Sequence, residues 1–138
     1  MELSLAQRLI GATLAEATVR GSRPLAVVVL DSGGNMVACA RRDGASFGRL
    51  KLAEGKAWGS LSLGFGSRTL SERVATAPSF FNAASSLFEG RLLPAPGGLL
   101  LFRGEDLIGA IGVSGDTGDT DEACAIAAAT DARISVQS

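Results

Sequence analysis

Residues 27–38 read VVVLDSGGNMVA, and this stretch decides the fold class. Consecutive apolar side chains in residues 25–30 predict a strand that is covered on both faces. Residues 31–34 predict a turn, because aspartate caps the local backbone and glycine tolerates a positive φ. Residues 35–41 then form the second strand of a hairpin. Since a hairpin pairs its strands antiparallel, we do not expect a doubly wound parallel sheet.

A second hairpin is predicted further along the chain, with strands at 99–103 and 107–113 around a turn at 104–106. Apolar spacing and capping residues predict helices around and between the two hairpins. These helices cover residues 3–20, 47–63, 69–75, 78–87 and 121–133. Ser4 is the expected N-cap of the first helix, and Gly21 its C′ residue. The order of elements predicts one α+β domain over residues 1–138, with four strands recognisable from the residues alone.

Composition excludes several classes of protein. The chain has 138 residues, 46% of them hydrophobic and 20% charged, which is typical of a globular domain. A net charge of −1 without a basic face argues against nucleic acid as a partner. Residues 1–5 lack the pattern of a signal peptide, and no apolar run reaches the ~18 residues of a membrane span. We therefore expect a cytoplasmic protein without a membrane partner, in which Cys39 and Cys124 are buried core thiols.

Histidine and tyrosine are both absent from the chain. Histidine is the usual general base near neutral pH and a common axial ligand of haem iron. A Ser-His-Asp hydrolase is therefore excluded, and any mechanism must use carboxylates, Lys, Arg, Ser, Thr or Cys. The glycines of residues 109–115 do not form a dinucleotide-binding fingerprint, because they lie in or just after a strand of an antiparallel hairpin.

Five motifs, in this order along the chain, resemble those of the GlcG/HbpS family, which also occurs as the C-terminal domain of PduO-type proteins. The motifs are residues 27–38, Arg42-Asp43-Gly44-Ala45, Ala53-Glu54-Gly55-Lys56-Ala57, Pro96-Gly97-Gly98, and residues 108–115 followed by Asp121-Glu122. The resemblance implies a five-stranded antiparallel sheet flanked by helices on both sides, with profilin-like layering, and a homo-oligomer. It also implies haem binding or haem degradation in some members, although imidazole cannot ligate the iron here. The cofactor is thus unknown: a Thr, Met, Cys or carboxylate ligand, or a pocket without any ligand to the iron, would have to serve.

Among the charged residues, Lys56 is the strongest candidate for a functional role. Its helical neighbours are small, so its amine would be partly buried, where it could bind a carboxylate, act as a base or form an imine. A salt-bridged surface lysine is the structural alternative. Gly97 and Gly98 could present backbone N–H groups to an anion, or could simply form a turn before a strand.

Other polar residues complete the candidate site. Arg42 could clamp a substrate carboxylate beside Glu54, although we prefer a solvated ion-pair cluster as the explanation of both residues. Ser114 follows the last strand of the second hairpin and could contact a ligand. Glu122 could act as an acid or base if it turns towards Lys56. Within the acidic cluster of residues 116–122, Asp119 and Glu122 could share a hard cation. We prefer a role of these acids at a helix N-terminus, where they complement the dipole, and assign no metal site.

Three functions remain open from the sequence. The first is a protein that binds haem or a small carboxylated metabolite near Lys56 and the loop 96–98. The second is a cofactor-independent lyase or isomerase of aromatic or organic-acid catabolism, with Lys56 and Arg42 holding an anionic substrate and Glu122 or Glu54 moving a proton. The third is a purely structural oligomerisation module.

Overall fold

A computed structural model describes residues 1–138, which form five helices and five strands. The helices and strands follow each other as α1 (Leu3–Val19), β1 (Ala26–Asp31), β2 (Met36–Arg41), α2 (Gly48–Leu63), α3 (Ser67–Val74), α4 (Pro78–Leu87), β3 (Gly98–Arg103), β4 (Asp106–Ser114), α5 (Gly118–Asp131) and β5 (Ser135–Gln137). None of the helices combines the length and apolarity needed to cross a membrane.

The five strands form one open antiparallel sheet in the order β2-β1-β4-β3-β5. Pairing between β1 and β4 joins the two predicted hairpins side by side. Strand β1 lies between two neighbours, and five of its six residues are buried, as the run of consecutive apolar side chains predicts. The predicted α+β class and antiparallel sheet are confirmed.

Helices cover both faces of the sheet. On one face, α1 and α5 pack against alternate side chains of the central strands, including Val27, Val29 and Ile111. On the other face, α2 packs Ala53 and Ala57 against side chains that point the opposite way. Helices α3 and α4 form a small separate cluster of their own beside α2. The buried chemistry described below lies on the α2 face.

The fifth strand was not predicted from the residue pattern. Strand β5 has only three residues, and two of them are exposed, so it lacks an apolar run. It pairs with the free edge of β3, and the pairing is a tertiary contact that local sequence does not encode. The family resemblance supplied the correct number of strands.

Three local predictions differ from the structure. Cys39 is exposed instead of buried, because β2 is an edge strand of the sheet. Ser4 lies inside α1, whose N-cap position is Glu2 without a side-chain cap. Helix α5 begins at Gly118 instead of residue 121, because the side chain of Thr117 accepts a hydrogen bond from the Thr120 N–H.

Candidate functional site

Close packing of α2 on β4 places Lys56 beside the end of that strand. A side chain at Gly112 would collide with the backbone carbonyl of Ala53, so the absence of one lets the helix and the sheet approach closely. Gly55 similarly brings α2 against the backbone of Arg91 and the side chain of Leu93. A Cβ at Gly59 would meet the side chain of Leu92, so Gly55 and Gly59, unusual inside a helix, are packing positions.

The ammonium group of Lys56 is buried and makes two hydrogen bonds. Its Nζ donates to the carbonyl oxygen of Val113 at 2.7 Å and to Asp121 Oδ2 at 3.0 Å. Lys56 is 5% exposed and Asp121 is 1% exposed. Burial lowers the pKa of Lys56, and the Asp121 carboxylate opposes that effect. Asp121 Oδ1 accepts a further hydrogen bond from the Asp116 N–H at 2.9 Å, so both carboxylate oxygens have partners.

The glycine loop 96–98 lies directly over this ion pair. Gly97 has φ +121°, and a Cβ at this position would lie 2.7 Å from the Val113 oxygen and 3.0 Å from Lys56 Nζ. The Gly97 carbonyl accepts from the Val113 N–H at 2.8 Å. The Gly98 N–H donates to Ser67 Oγ at 2.6 Å, which connects the loop to the first residue of α3. Only glycine allows the loop to close on the lysine in this way.

A second ion pair ties α3 to the start of α5. Arg68 Nε donates to Glu122 Oε2 at 2.7 Å, and the same guanidinium binds Asp119. Glu122 is only 4% exposed, so its carboxylate depends on this partner. Two adjacent acids therefore face different cations: Asp121 binds Lys56, and Glu122 binds Arg68.

The structure brings together some of the predicted residues and separates others. Lys56, Gly97 and Gly98 lie in one cluster, with Glu122 next to it but turned towards Arg68. Ser114 lies at the edge of the cluster, where its Oγ accepts from Arg49 at 3.3 Å.

Arg42 and Glu54 make their contacts elsewhere. Arg42 donates to Thr18 Oγ1 on α1 at 2.9 Å. Glu54 lies 3.4 Å from the ammonium of Lys51 and 3.9 Å from the guanidinium of Arg91. Neither side chain takes part in the hydrogen bonds around Lys56.

The sequence interpretation missed Asp121 as the partner of Lys56, together with Arg68 and Ser67. One pattern could have identified Asp121: it lies three residues before Cys124 and four before Ala125, on the buried face of α5. An acid on an apolar helix face requires a buried cation. No comparable pattern marks Arg68, because α3 is short and mostly polar.

Two larger clefts lie outside the Lys56 cluster. One, of about 470 Å³, is lined by Glu54 and Arg91 among others. The other, of about 500 Å³, lies between the end of α2, α3 and α4 and has a mainly apolar lining. A porphyrin needs an apolar wall for its ring and a cation for its carboxylates, and the second cleft offers both, with Arg73 at its rim. This open cleft and the closed Lys56 cluster both lie on the α2 side of the sheet, and α3 contributes residues to each.

The fold and the buried cluster define a small α+β domain whose glycine loop is fastened to a lysine–aspartate pair. The chain belongs to the HbpS-like family, because the family model described as "Haem degrading protein HbpS-like" matches residues 1–130. No curated protein sequence matches the chain significantly.

Solved structures agree with this family. A double mutant of Streptomyces reticuli HbpS is 29% identical and has a TM-score of 0.82, over 95% of this chain and 86% of that one. Klebsiella pneumoniae protein ORFY is 30% identical with a TM-score of 0.84, over 93% and 87% of the two chains. PduOC, solved in a complex with heme, is 23% identical with a TM-score of 0.89, over 100% and 99%. At that identity PduOC supports the fold alone.

Proposed function

We propose that this protein binds haem or a small carboxylated metabolite on the α2 face of its sheet, near Lys56 and the loop 96–98. The observation that carries the proposal is the buried Lys56–Asp121 pair beneath Gly97 in a member of a haem-degrading family. In this proposal Lys56 is a positioning residue, because its ammonium holds the loop and the first turn of α5 instead of facing an open cavity.

Three further observations support this side of the molecule as the ligand side. Ser67 binds the loop, and Arg68 binds the first turn of α5, so the start of α3 is fastened to the same cluster. Ser114 and Arg49 lie at the edge of the cluster, and Arg49 makes no ion pair within 4.0 Å. A ligand carboxylate at this edge would meet Arg49 before the buried Lys56.

The direct test is a titration of the protein with haemin, followed by the Soret absorbance band. We expect Lys56→Met to weaken binding, because the loop 96–98 loses its anchor. Lys51→Met is the matched control, since Lys51 lies on the same helix with a side chain that is 86% exposed. The double variant Lys56→Met/Asp121→Asn leaves no unpaired charge in the interior. It therefore provides a second test of binding if Lys56→Met alone does not fold.

Two results would contradict the proposal. A wild-type protein that produces no Soret change with haemin and no heat with small organic acids has no such ligand. A folded Lys56→Met variant that binds haemin as the wild type does would show that haemin binding does not depend on this cluster.

The lyase or isomerase alternative keeps one favourable observation. Burial lowers the pKa of Lys56, as a lysine that acts as a general base requires. In this alternative Lys56, Glu122 and Glu54 are catalytic, and Arg42, Gly97, Gly98 and Ser114 bind the substrate. Two contacts count against this alternative: Arg42 binds Thr18 and Glu54 binds Lys51, so neither side chain contacts Lys56. Turnover of an organic acid that is abolished by Lys56→Met but not by Lys51→Met would select it.

A cytoplasmic location and a homo-oligomeric state complete the proposal. Both derive from the sequence and the family resemblance. Light scattering coupled to size-exclusion chromatography measures the second directly, and a monomer at all concentrations would contradict it.

A further inference from the structure

The cleft of about 470 Å³ between α2 and the segment 89–93 lies apart from the Lys56 cluster. Its volume falls within the roughly 300–1,000 Å³ of pockets that hold small ligands. The Leu93 N–H donates to the Gly55 carbonyl at 3.2 Å, so the segment is fixed against the helix. The lining combines two cations, two carboxylates and apolar side chains, including Lys51, Arg91, Glu54, Glu89, Leu52 and Leu92.

Glu54 differs from every other carboxylate that is buried or half-buried in this chain. Its side chain is 22% exposed, and its single hydrogen bond, from Lys51 Nζ, is 3.4 Å long. A charge-assisted bond to a carboxylate is ordinarily about 2.7–2.9 Å long. The five comparable carboxylates each accept a bond of 3.0 Å or shorter, and they are Glu16, Asp31, Asp116, Asp121 and Glu122. Glu54 therefore retains unused acceptor positions at the cleft.

Arg91 is held in the same cleft by an aromatic ring. Its guanidinium carbon lies 4.3 Å from the centroid of the Trp58 ring, and that ring meets Phe88 edge to face. Arg91 Nη2 is 3.9 Å from Glu54 Oε1, which is too long for a hydrogen bond. Stacking thus positions the guanidinium while its N–H groups remain available to a ligand carboxylate.

We propose that this cleft binds the zwitterion of an α-amino acid with an apolar side chain. The ammonium of the ligand donates to Glu54, its carboxylate accepts from Arg91, and its side chain lies against Leu52 and Leu92. A ligand with one charge would satisfy only one of the two protein groups. The site is separate from the Lys56 cluster, and the inference does not depend on the function proposed there.

Lys51 does not close this site. Its side chain is 86% exposed, and an exposed ion pair of this kind contributes little to stability. The ammonium of a ligand can therefore displace the Lys51 ammonium from Glu54 at small cost.

The test uses three probes that differ by one charged group. They are L-leucine, isocaproate, which lacks the ammonium, and isoamylamine, which lacks the carboxylate. Trp58 is the only tryptophan of the chain and stacks on Arg91, so its fluorescence reports on the cleft, and titration calorimetry is the second readout. L-leucine should bind about tenfold or more tightly than either other probe, because each of those loses a hydrogen bond between charged groups.

Two variants should separate the two halves of the ligand. Glu54→Gln should weaken L-leucine and isoamylamine by about tenfold and leave isocaproate unchanged. Arg91→Gln should weaken L-leucine and isocaproate by about the same factor and leave isoamylamine unchanged, with calorimetry as the readout because the surroundings of Trp58 change. A merely structural role of either residue would weaken all three probes together.

Matched controls are present in the chain. Glu16 on α1 is 28% exposed and pairs with Arg20, so Glu16→Gln removes a similarly buried carboxylate elsewhere. Arg103→Gln removes an arginine that is 57% exposed and pairs with Glu2. Both controls should bind L-leucine as the wild type does.

Three results would overturn the inference. The first is a wild-type protein that responds to L-leucine in neither readout at millimolar concentration. The second is equal affinity for L-leucine and isocaproate, which would make the cleft a carboxylate site that does not recognise an ammonium. The third is an unchanged affinity of Glu54→Gln for L-leucine. None of these results alters the haemin titration, which tests the Lys56 cluster.

Discussion

The ammonium of Lys56 lies 3.0 Å from Asp121 Oδ2, and both residues are almost completely buried. This contact joins α2 to α5 across residues that are far apart in the chain. Removing two charges from water has a large cost, which is offset here because each charged group also has a backbone partner. The pair therefore determines how the loop 96–98, β4 and α5 meet, more than it adds to overall stability.

Removing one member of this pair should destabilise the protein strongly. Lys56→Met leaves the Asp121 carboxylate buried without a cation, which costs about 3–5 kcal/mol of unfolding free energy. Urea denaturation followed by circular dichroism measures this loss. Lys51→Met, on the exposed side of the same helix, should change the unfolding free energy by about 0.5 kcal/mol or less.

The double variant Lys56→Met/Asp121→Asn should lose less than the sum of the two single variants. Asparagine keeps an oxygen for the Asp116 N–H and leaves no unpaired charge. We expect a coupling free energy of about 0.5–3 kcal/mol in the double-mutant cycle. Additive losses would show that the two side chains do not interact in solution.

Two glycines should respond in opposite directions to replacement by alanine. Gly97→Ala forces a Cβ towards the Val113 oxygen at φ +121°, and should cost about 1–3 kcal/mol. Gly11 lies inside α1 with no atom within 4 Å of its added Cβ, so Gly11→Ala should stabilise by about 0.5–1 kcal/mol. Thermal unfolding of the two variants compares them directly, and equal losses would contradict the close approach at Gly97.

The two cysteines should differ in reactivity. Cys39 is exposed on the edge strand, whereas Cys124 is buried and burial raises the pKa of its thiol. Ellman's reagent should therefore titrate one thiol in the native protein and both after denaturation. Cys39→Ser should abolish the native reaction, while a native Cys39→Ser protein that still reacts rapidly would place Cys124 at the surface.

The stability contributed by Asp116 should disappear in acid. The Arg23 N–H and then the Thr117 N–H hold the pKa of Asp116 below its usual 3.8. In the unfolded chain the carboxyl recovers its ordinary pKa. A depressed folded pKa stabilises the protein above the unfolded value, and the effect is lost as the pH falls through the folded pKa.

Asp116→Asn tests that dependence. The difference in unfolding free energy between wild type and variant should be constant near about pH 6 and should shrink towards about pH 2. Glu105→Gln, in the exposed turn between β3 and β4, is the control. A difference that does not change with pH would show that the charge of Asp116 contributes nothing.

Helices and hairpins were predictable because their evidence is local. Residues 25–30 and the Asp31–Gly34 turn specify a hairpin whatever they pack against, and β1 and β2 form where predicted. Gly21 has φ +64° just after α1, as its predicted C′ role requires. The start of α5 differs from the predicted start because the Thr117 side chain caps the helix three residues earlier.

The candidate site was predictable only in part. The small residues around Lys56 indicated that its amine would be buried, and this is confirmed. The sequence did not indicate which acid pairs with Lys56, because Asp121 and Glu122 are adjacent and both belong to the first turns of a helix. Adjacent residues of a helix point in different directions, so the orientation of α5 about its own axis decides that Asp121 contacts Lys56 and Glu122 contacts Arg68.

The sequence by itself determined the α+β class, the two hairpins and the absence of any imidazole chemistry, because these follow from short-range spacing and composition. Only the tertiary structure decided that β5 completes the sheet, that Cys39 faces solvent and that Asp121 closes over Lys56. The physical reason is that edge pairing, exposure and ion-pair choice depend on contacts between distant segments, whose free energies no local pattern contains.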